Sequence, residues 1–474
     1  MKKILSILLV LATILGLCAC GSSGGSDGPA DTQLKVGYNR QDIMPEGNVP
    51  LGGYGQTQTR ISQNFVDYLY ATCIAFSQGD ETVLVFAVDL LGCYGTWASN
   101  VRDSISLETG IPKEKILVSA SHTHSAPDMT SSDSTISAYI RIVTRQMVKA
   151  AKLAIEDLAP ATLFGAKTQT DDLNFVREYI LEDGRKGTGA SFIASGTPVD
   201  YMEDNDPEML LIKAEREENK KDILIMNWQA HPCTTGGMKK YDISADFIAS
   251  VRDEMEMATG MQFAYFTGAA GNQNTDSEIT GEVSKASGNR DVSKEQLGKA
   301  LANTALEALP NLKPIEGDGV YTNHTMFTLP YNHEDEDKAA LARQAVEIWK
   351  ADGHAAGDKF AVENGFHTIY HANAILSRGS RPANGEIELA AIRVGGVGFA
   401  FAPYEMYASS GREIKKNAPD EFTLVLSCSN AGEGYFATME SYDVGTYGST
   451  TSKFARGCAE ASSEKLVSML KEIQ

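Results

Sequence analysis

Lys115-Ile116-Leu117-Val118-Ser119-Ala120-Ser121-His122-Thr123-His124-Ser125-Ala126-Pro127 is the stretch from which the rest of the chain can be read. Residues 115–118 form an apolar run of strand character. On an extended segment, side chains two apart point to the same face, so His122 and His124 are expected side by side. A strand end with two imidazoles can offer one to a metal and keep the other as a proton donor or acceptor. The chain has only eight histidines, and an isolated His-x-His after a buried strand is as readily a surface pair. Other strand ends that carry metal-competent groups set this one apart.

Outward from this stretch, strands and helices alternate. Residues 70–76 and 82–88 read as a hairpin around Gly79-Asp80, closing on Asp89. A helix over about 97–109 stops at Gly110-Ile111-Pro112. Downstream, 134–157 is a long amphipathic helix, 161–166 a short strand and 174–177 a loop. Buried strands are expected at 209–214 and 223–228, the second delivering His231. A helix at about 245–259 leads to a strand at 262–267, which opens into Gly268-Ala269-Ala270-Gly271-Asn272-Gln273-Asn274-Thr275-Asp276. Residues 277–291 read as a loop, 294–309 as a helix, and 333–365 as one or two exposed helices. Strands at 387–394 and 397–402 run into Pro403-Tyr404-Glu405, followed by a helix to about 416. The last strand, 422–427, leads to the loop bearing Tyr435, Tyr442 and Tyr447, and a helix from about 453 closes the chain.

The first residues stand outside this pattern. Met1-Lys2-Lys3 is a basic start, and 4–17 is apolar but too short to span a bilayer. Leu17-Cys18-Ala19-Cys20 before a Gly/Ser-rich run resembles a bacterial lipoprotein processing site. The expectation is a signal peptide over 1–19, a lipidated Cys20, a flexible linker over 20–31 and one catalytic domain over 32–474. The protein would then work outside the cytoplasm, anchored to the membrane. The formal net charge is −20, and loss of the signal's lysines makes the mature chain more acidic still. That balance excludes nucleic acid as a partner. Cys73, Cys93, Cys233, Cys428 and Cys458 are scattered and odd in number, with no zinc or disulfide spacing among them.

Four strand ends therefore carry metal-competent groups: His122 with His124, His231, Glu405 and Tyr435. Two imidazoles and a carboxylate make a common catalytic zinc set that leaves room for water. Zinc so held brings the pKa of that water towards neutrality and polarises a carbonyl. The separations are too long for any short motif to establish the set.

Ser121-His122-Thr123-His124-Ser125-Ala126-Pro127 resembles the Thr-His-Thr-His-Ser-Gly-Pro signature of the neutral/alkaline (non-lysosomal) ceramidases, which are zinc amidases. The resemblance extends through 36–54, Val88-Asp89-Leu90, Asn174-Phe175-Val176-Arg177, Asp206-Pro207, His231, 268–275, Pro403-Tyr404-Glu405 and 429–450. It implies a mixed α/β domain of stacked β-sheets flanked by helices, with the site at the strand ends. It also implies Zn2+ on His122, His231, Glu405 and Tyr435, with His124 handling the proton. Arg177 would meet the polar head of a lipid amide, and Tyr447 would help hold the scissile bond. The same resemblance implies a place in sphingolipid metabolism.

Two departures bear on whether ceramide itself is the substrate. Asn274 stands where the family loop has a serine; a carboxamide can hydrogen-bond an oxyanion but cannot attack a carbonyl. The family's C-terminal immunoglobulin-like domain is not expected within 32–474. The leading expectation is an exported zinc amidohydrolase with activated water as the nucleophile. The alternatives are a catalytically silent binding lipoprotein on the same scaffold, and a zinc esterase or deacetylase acting on a small polar substrate.

Overall fold

Strands buried on both faces need a layer above and below their sheet. The central strands of this chain are of that kind, and they stack as two sheets between helices. The computed structural model describes residues 33–54, 60–170, 172–217, 219–235, 240–275, 293–379 and 381–474. The segments expected as signal peptide and linker, and the loop expected at 277–291, lie outside those residues.

The first sheet contains β1 (Lys35–Asp42), β2 (Tyr70–Gln78), β3 (Glu81–Val88), β4 (Ile116–Ala120), β5 (Ala159–Gln169), β6 (Glu208–Arg216), β7 (Ile223–Trp228) and β8 (Gln262–Thr267). Their order is β8-β7-β6-β5-β1-β2-β3-β4, with Lys313–Pro314 added beside β5. The second sheet is β9 (Val320–Pro330), β10 (Asn384–Val394), β11 (Val397–Phe401) and β12 (Phe422–Leu426), in that order. The inner faces share one apolar cluster, in which Ile74, Val85, Ile212 and Phe266 meet Val394, Phe401 and Leu424. Phe76 and Phe399 bridge the sheets with ring centroids 5.9 Å apart.

Helices cover both outer faces. α1 (Trp97–Thr109) ends at Gly110, whose φ of 75° allows the left-handed turn that stops a helix. α2 (Ser134–Glu156) starts on Asp133, whose carboxylate accepts from the Thr135 amide, and buries Ile136, Tyr139, Val143, Met147, Ala150 and Ala154 along one stripe. These two helices pack on β1–β4, while α3 (Phe247–Thr259) and α4 (Lys294–Ala308) pack on β6–β8. α5 (Ala339–Asp352), α6 (His354–Glu363) and α7 (Ile369–Arg378) form a separate cluster around Trp349, Phe366 and Ile369. α8 (Ala408–Asn417) and α9 (Cys458–Glu472) cover the second sheet. Among the described residues no helix is long and apolar enough to cross a membrane.

Within these two sheets most neighbouring strands are antiparallel, but three pairs are parallel: β3/β4, β7/β8 and β11/β12. Their carboxyl ends gather at one place. The Ser121 amide donates to the Val88 carbonyl, Gly268 to Trp228, Ser427 to Thr267, Asn430 to Val118 and Ala402 to Leu426. Loops leaving parallel strands in a common direction make a natural crevice for a ligand.

Several elements differ from the sequence reading. β9 is an eleven-residue strand not among the expected elements, although Val320, Tyr321, Thr322, Thr325, Phe327 and Thr328 are β-branched or aromatic. Residues 178–201 contain a small sheet of Glu178–Leu181, Lys186–Thr188 and Pro198–Tyr201. The expected loop at 174–177 contains a short strand, Phe175–Val176, paired with Gln273–Asn274.

Candidate metal and catalytic site

β4 ends at Ala120, and the chain turns at His122, whose φ is 68°. The expectation of an extended His-x-His therefore fails in its reason, although the two rings still meet. Left-handed backbone at a non-glycine residue costs about 1–3 kcal/mol and needs support. Here the His122 amide donates to the Leu90 carbonyl at 2.9 Å and the His124 amide to Pro232 at 3.0 Å. Above His124 lies Gly53 at φ 104°, where any Cβ would come within 2.8 Å of the imidazole ring. Cys428 and Asn430 also have positive φ, 53° and 64°, so backbone strain collects around this crevice.

Four ligand-type atoms converge. Nε2 of His122 lies 3.3 Å from Nε2 of His231, 3.3 Å from Nε2 of His124 and 3.3 Å from Oε2 of Glu405. Nε2 of His231 is 3.4 Å from the same carboxylate oxygen. Metal–ligand bonds of about 2.0–2.1 Å at tetrahedral angles separate ligand atoms by about 3.3–3.4 Å. The three buried histidines could thus hold a metal ion, and the spacing extends to Glu405.

The atoms behind these groups sharpen the point. Nδ1 of His122 is 2.7 Å from the Leu91 carbonyl, and Nδ1 of His231 is 2.7 Å from the Ala270 carbonyl. A carbonyl only accepts, so each Nδ1 carries a hydrogen and each Nε2 presents a lone pair when the ring is neutral. Oε2 of Glu405 is buried and receives no hydrogen bond. Lone pairs and a carboxylate oxygen facing one another at this distance form a donor set that a shared cation would satisfy. His124 differs, because its buried Nδ1 has no partner. Metal-ligating histidines almost always donate their second nitrogen to a carbonyl or carboxylate; His122 and His231 do, and His124 does not.

Burial and mutual charge set the titration of each group in this centre. Burial opposes charge on His122, but Cys428 and Glu405 outweigh it and hold the pKa well above the usual imidazole range. Burial lowers His231 to about 4, with Arg177 adding to the shift. Burial, then His122 and His231, push His124 well below the usual value. Glu405, although buried, is held well below the carboxylate range by the two histidines.

The remaining expected residues surround this centre. Glu405 and Tyr435 are partners in a short parallel ribbon, which sets their side chains next to each other. The Tyr435 hydroxyl accepts from Nη2 of Arg177 at 3.0 Å, and that nitrogen also donates to the Gly271 carbonyl at 2.7 Å. Burial and then Glu405 raise the Tyr435 phenol well above its usual range, with Arg177 opposing them. Tyr447 packs edge to face on Tyr435, centroids 5.5 Å apart, and on Tyr370 of α7 at 5.8 Å. Asn274 lies across the ribbon from Phe175, and its buried Oδ1 accepts no hydrogen bond. Gly271 passes so close to Glu405 that a Cβ would lie 2.6 Å from its carbonyl oxygen.

Three contributors escaped the sequence reading. The Tyr94 hydroxyl, on the loop after β3, donates to Oε1 of Glu405 at 3.1 Å. Gly92 and Gly432 make room for the Tyr94 ring. The Cys428 sulfur lies 3.6 Å from Nδ1 of His122. The buried Glu178 carboxylate accepts from Tyr407 and Ser441, both at 2.8 Å, and so ties the Arg177 strand to the segment that carries Tyr447. A lone tyrosine, cysteine or glutamate has no spacing to betray it.

No family model and no curated protein matches the chain. Solved structures do match, among them neutral ceramidase from Pseudomonas aeruginosa and a ceramidase complexed with C2. Each superposes with a TM-score of 0.68 at 15% identity, over 93% of this chain and 74% or 75% of the other. At that identity the likeness speaks to architecture, and it leads to one conclusion: the chain is built on the neutral ceramidase fold.

Proposed function

We propose that the protein is a zinc-dependent hydrolase of an amide bond in an N-acyl lipid or related amide. The observation that carries this reading is the convergence of His122, His231 and Glu405 at tetrahedral spacing, with the anchored nitrogens turned away. These three residues would hold the ion, with Tyr435 beside them. When bound, zinc supplies a Lewis acid for the acyl oxygen and makes water acidic enough to attack near neutral pH.

The chain's own groups do the rest. His124, with an uncommitted Nδ1, takes the proton from the attacking water and returns it to the departing nitrogen. Water is added across the C–N bond, its hydroxyl going to the acyl carbon and its hydrogen to the amine. Arg177 and Asn274 hold the half that leaves, and Tyr447 closes one wall beside Tyr435. We further propose that residues 1–19 direct export and that lipidated Cys20 tethers a single catalytic domain, 32–474, through the linker.

The test is a panel of N-acyl amides of increasing acyl length, assayed before and after chelation and zinc return. Turnover that disappears with the metal and returns with it is the expected result. Asn274 in place of the family's serine favours a second reading, a silent binding lipoprotein. Full zinc occupancy with no turnover anywhere in the panel would select it.

A further inference from the structure

The half of the site away from the metal ligands carries two unanswered polar groups. In the ribbon of Phe175–Val176 with Gln273–Asn274, Asn274 is the partner of Phe175, and Arg177 follows at the bend that ends the strand. The Arg177 amide donates to the Asn272 carbonyl at 2.9 Å, so Arg177 and Asn274 both sit at this short ribbon, Arg177 two residues on from the partner of Asn274. Oδ1 of Asn274 is a buried acceptor without a donor. Arg177 is only partly buried, and it donates through Nη2 to a carbonyl and a phenol. Among the described residues no carboxylate pairs with it. Its charge still reaches the centre, where it depresses His231 and His124.

Glu405 and Glu178 act on the guanidinium only at a distance; a cation with no carboxylate in contact, beside an acceptor with no donor among the described residues, describes the complement of a ligand. That ligand presents an N–H to Asn274 and, about one carbon away, an anion to the guanidinium. Resting on the hydrolase reading above, we propose that the preferred substrate is an N-acyl amino acid, whose α-carboxylate pairs with Arg177 while its amide N–H donates to Asn274. Water cleaves the bond between acyl carbon and nitrogen, releasing a carboxylic acid and a free amino acid, with no other co-reactant. An amino alcohol offers the same N–H but only a neutral hydroxyl, which leaves the guanidinium unpaired.

The test uses the zinc-loaded full chain with two substrates of equal acyl length, an N-acylglycine and an N-acylethanolamine. The expected result is a kcat/KM ratio of about 10²-fold or more in favour of the N-acylglycine. Arg177→Met should bring the ratio towards one, and Arg177→Lys should restore part of it. Asn274→Ala should slow both substrates alike, because the N–H is common to them. Equal rates, or a preference for the ethanolamide, would overturn the carboxylate assignment and leave the hydrolase reading intact. Cleavage of neither would overturn the hydrolase reading and the assignment with it. If Arg177→Met does not fold, the ratio in the parent and in Arg177→Lys decides alone.

Discussion

Around Glu405 each ligand-type side chain is held from behind, His122 by Leu91, His231 by Ala270 and the carboxylate by Tyr94. Elsewhere in the crevice polar atoms are left open: Nδ1 of His124, which faces Gly53, and Oδ1 of Asn274 are buried without partners among the described residues, and no carboxylate of those residues pairs with the Arg177 guanidinium. Burying an unpaired polar atom costs about 1–3 kcal/mol, so a fold keeps such atoms where something else satisfies them. The held side suits a resident ion, whose ligands must not move. The open side suits a visitor, whose bonds form and break with each turnover. Residues on the first side should therefore govern metal and rate together, and those on the second rate alone.

The largest effect should come from His231→Ala. Losing a ligand removes both the Lewis acid and the activated water, so turnover should fall to background and the metal should be lost on dialysis. Retained metal with lost turnover would move His231 to the open side.

His124→Ala should lower kcat by about 10²–10⁴-fold, the usual worth of a positioned acid–base group, while zinc content stays near that of the parent. His124→Gln can hydrogen-bond but cannot carry the proton, so it should fail to the same degree. A fall in metal content in either variant would make His124 a ligand and erase the contrast between the two sides.

Tyr94→Phe deletes one hydrogen bond to Glu405 and leaves its ring packed between Gly92 and Gly432. Support of this kind is worth about 10–100-fold in metal affinity. Competition with a chelator should show that loss, with kcat at saturating zinc much less affected. Unchanged affinity would mean that the carboxylate is aimed by packing alone.

The smallest effect on chemistry is expected away from both sides. His371 on α7 is buried, faces Asp335, Lys338, His367 and Arg378, and is lowered to about 4 by burial and then His367, with Asp335 opposing. Unfolded, its pKa is near 6.5. Between about pH 6.5 and 4 the unfolded chain binds a proton that the folded helix refuses, so stability falls as pH drops through that window. The loss is up to about 3 kcal/mol. Urea midpoints at pH 7 and pH 4.5 should differ less in His371→Gln than in the parent, while kcat at pH 7 is unaltered.

What could be read beforehand follows the strength of the local signal. Runs such as 83–88, 116–118 and 223–226 are apolar without interruption, and the segments after them reach Asp89, His122 and His231 at the crevice. β9 escaped because its Thr, Asn and His residues alternate between partial and full exposure at the edge of a sheet. His122 was found for the wrong reason: its meeting with His124 depends on one left-handed residue, which no periodicity encodes. Arg177 and Asn274 stand out singly through the family resemblance, but their proximity depends on a two-residue ribbon too short to leave a pattern. Tyr94 and Cys428 reach the site by tertiary packing alone.

The central claim is that His122, His231 and Glu405 surround one metal ion. Elemental analysis of the full chain, after dialysis against metal-free buffer and then limiting zinc, tests it without any assumption about substrate. The account predicts one zinc per chain in the parent and close to none in His122→Ala, with both folded by circular dichroism. Equal zinc in the two proteins, or none in the parent at any zinc concentration that leaves it soluble, would contradict it.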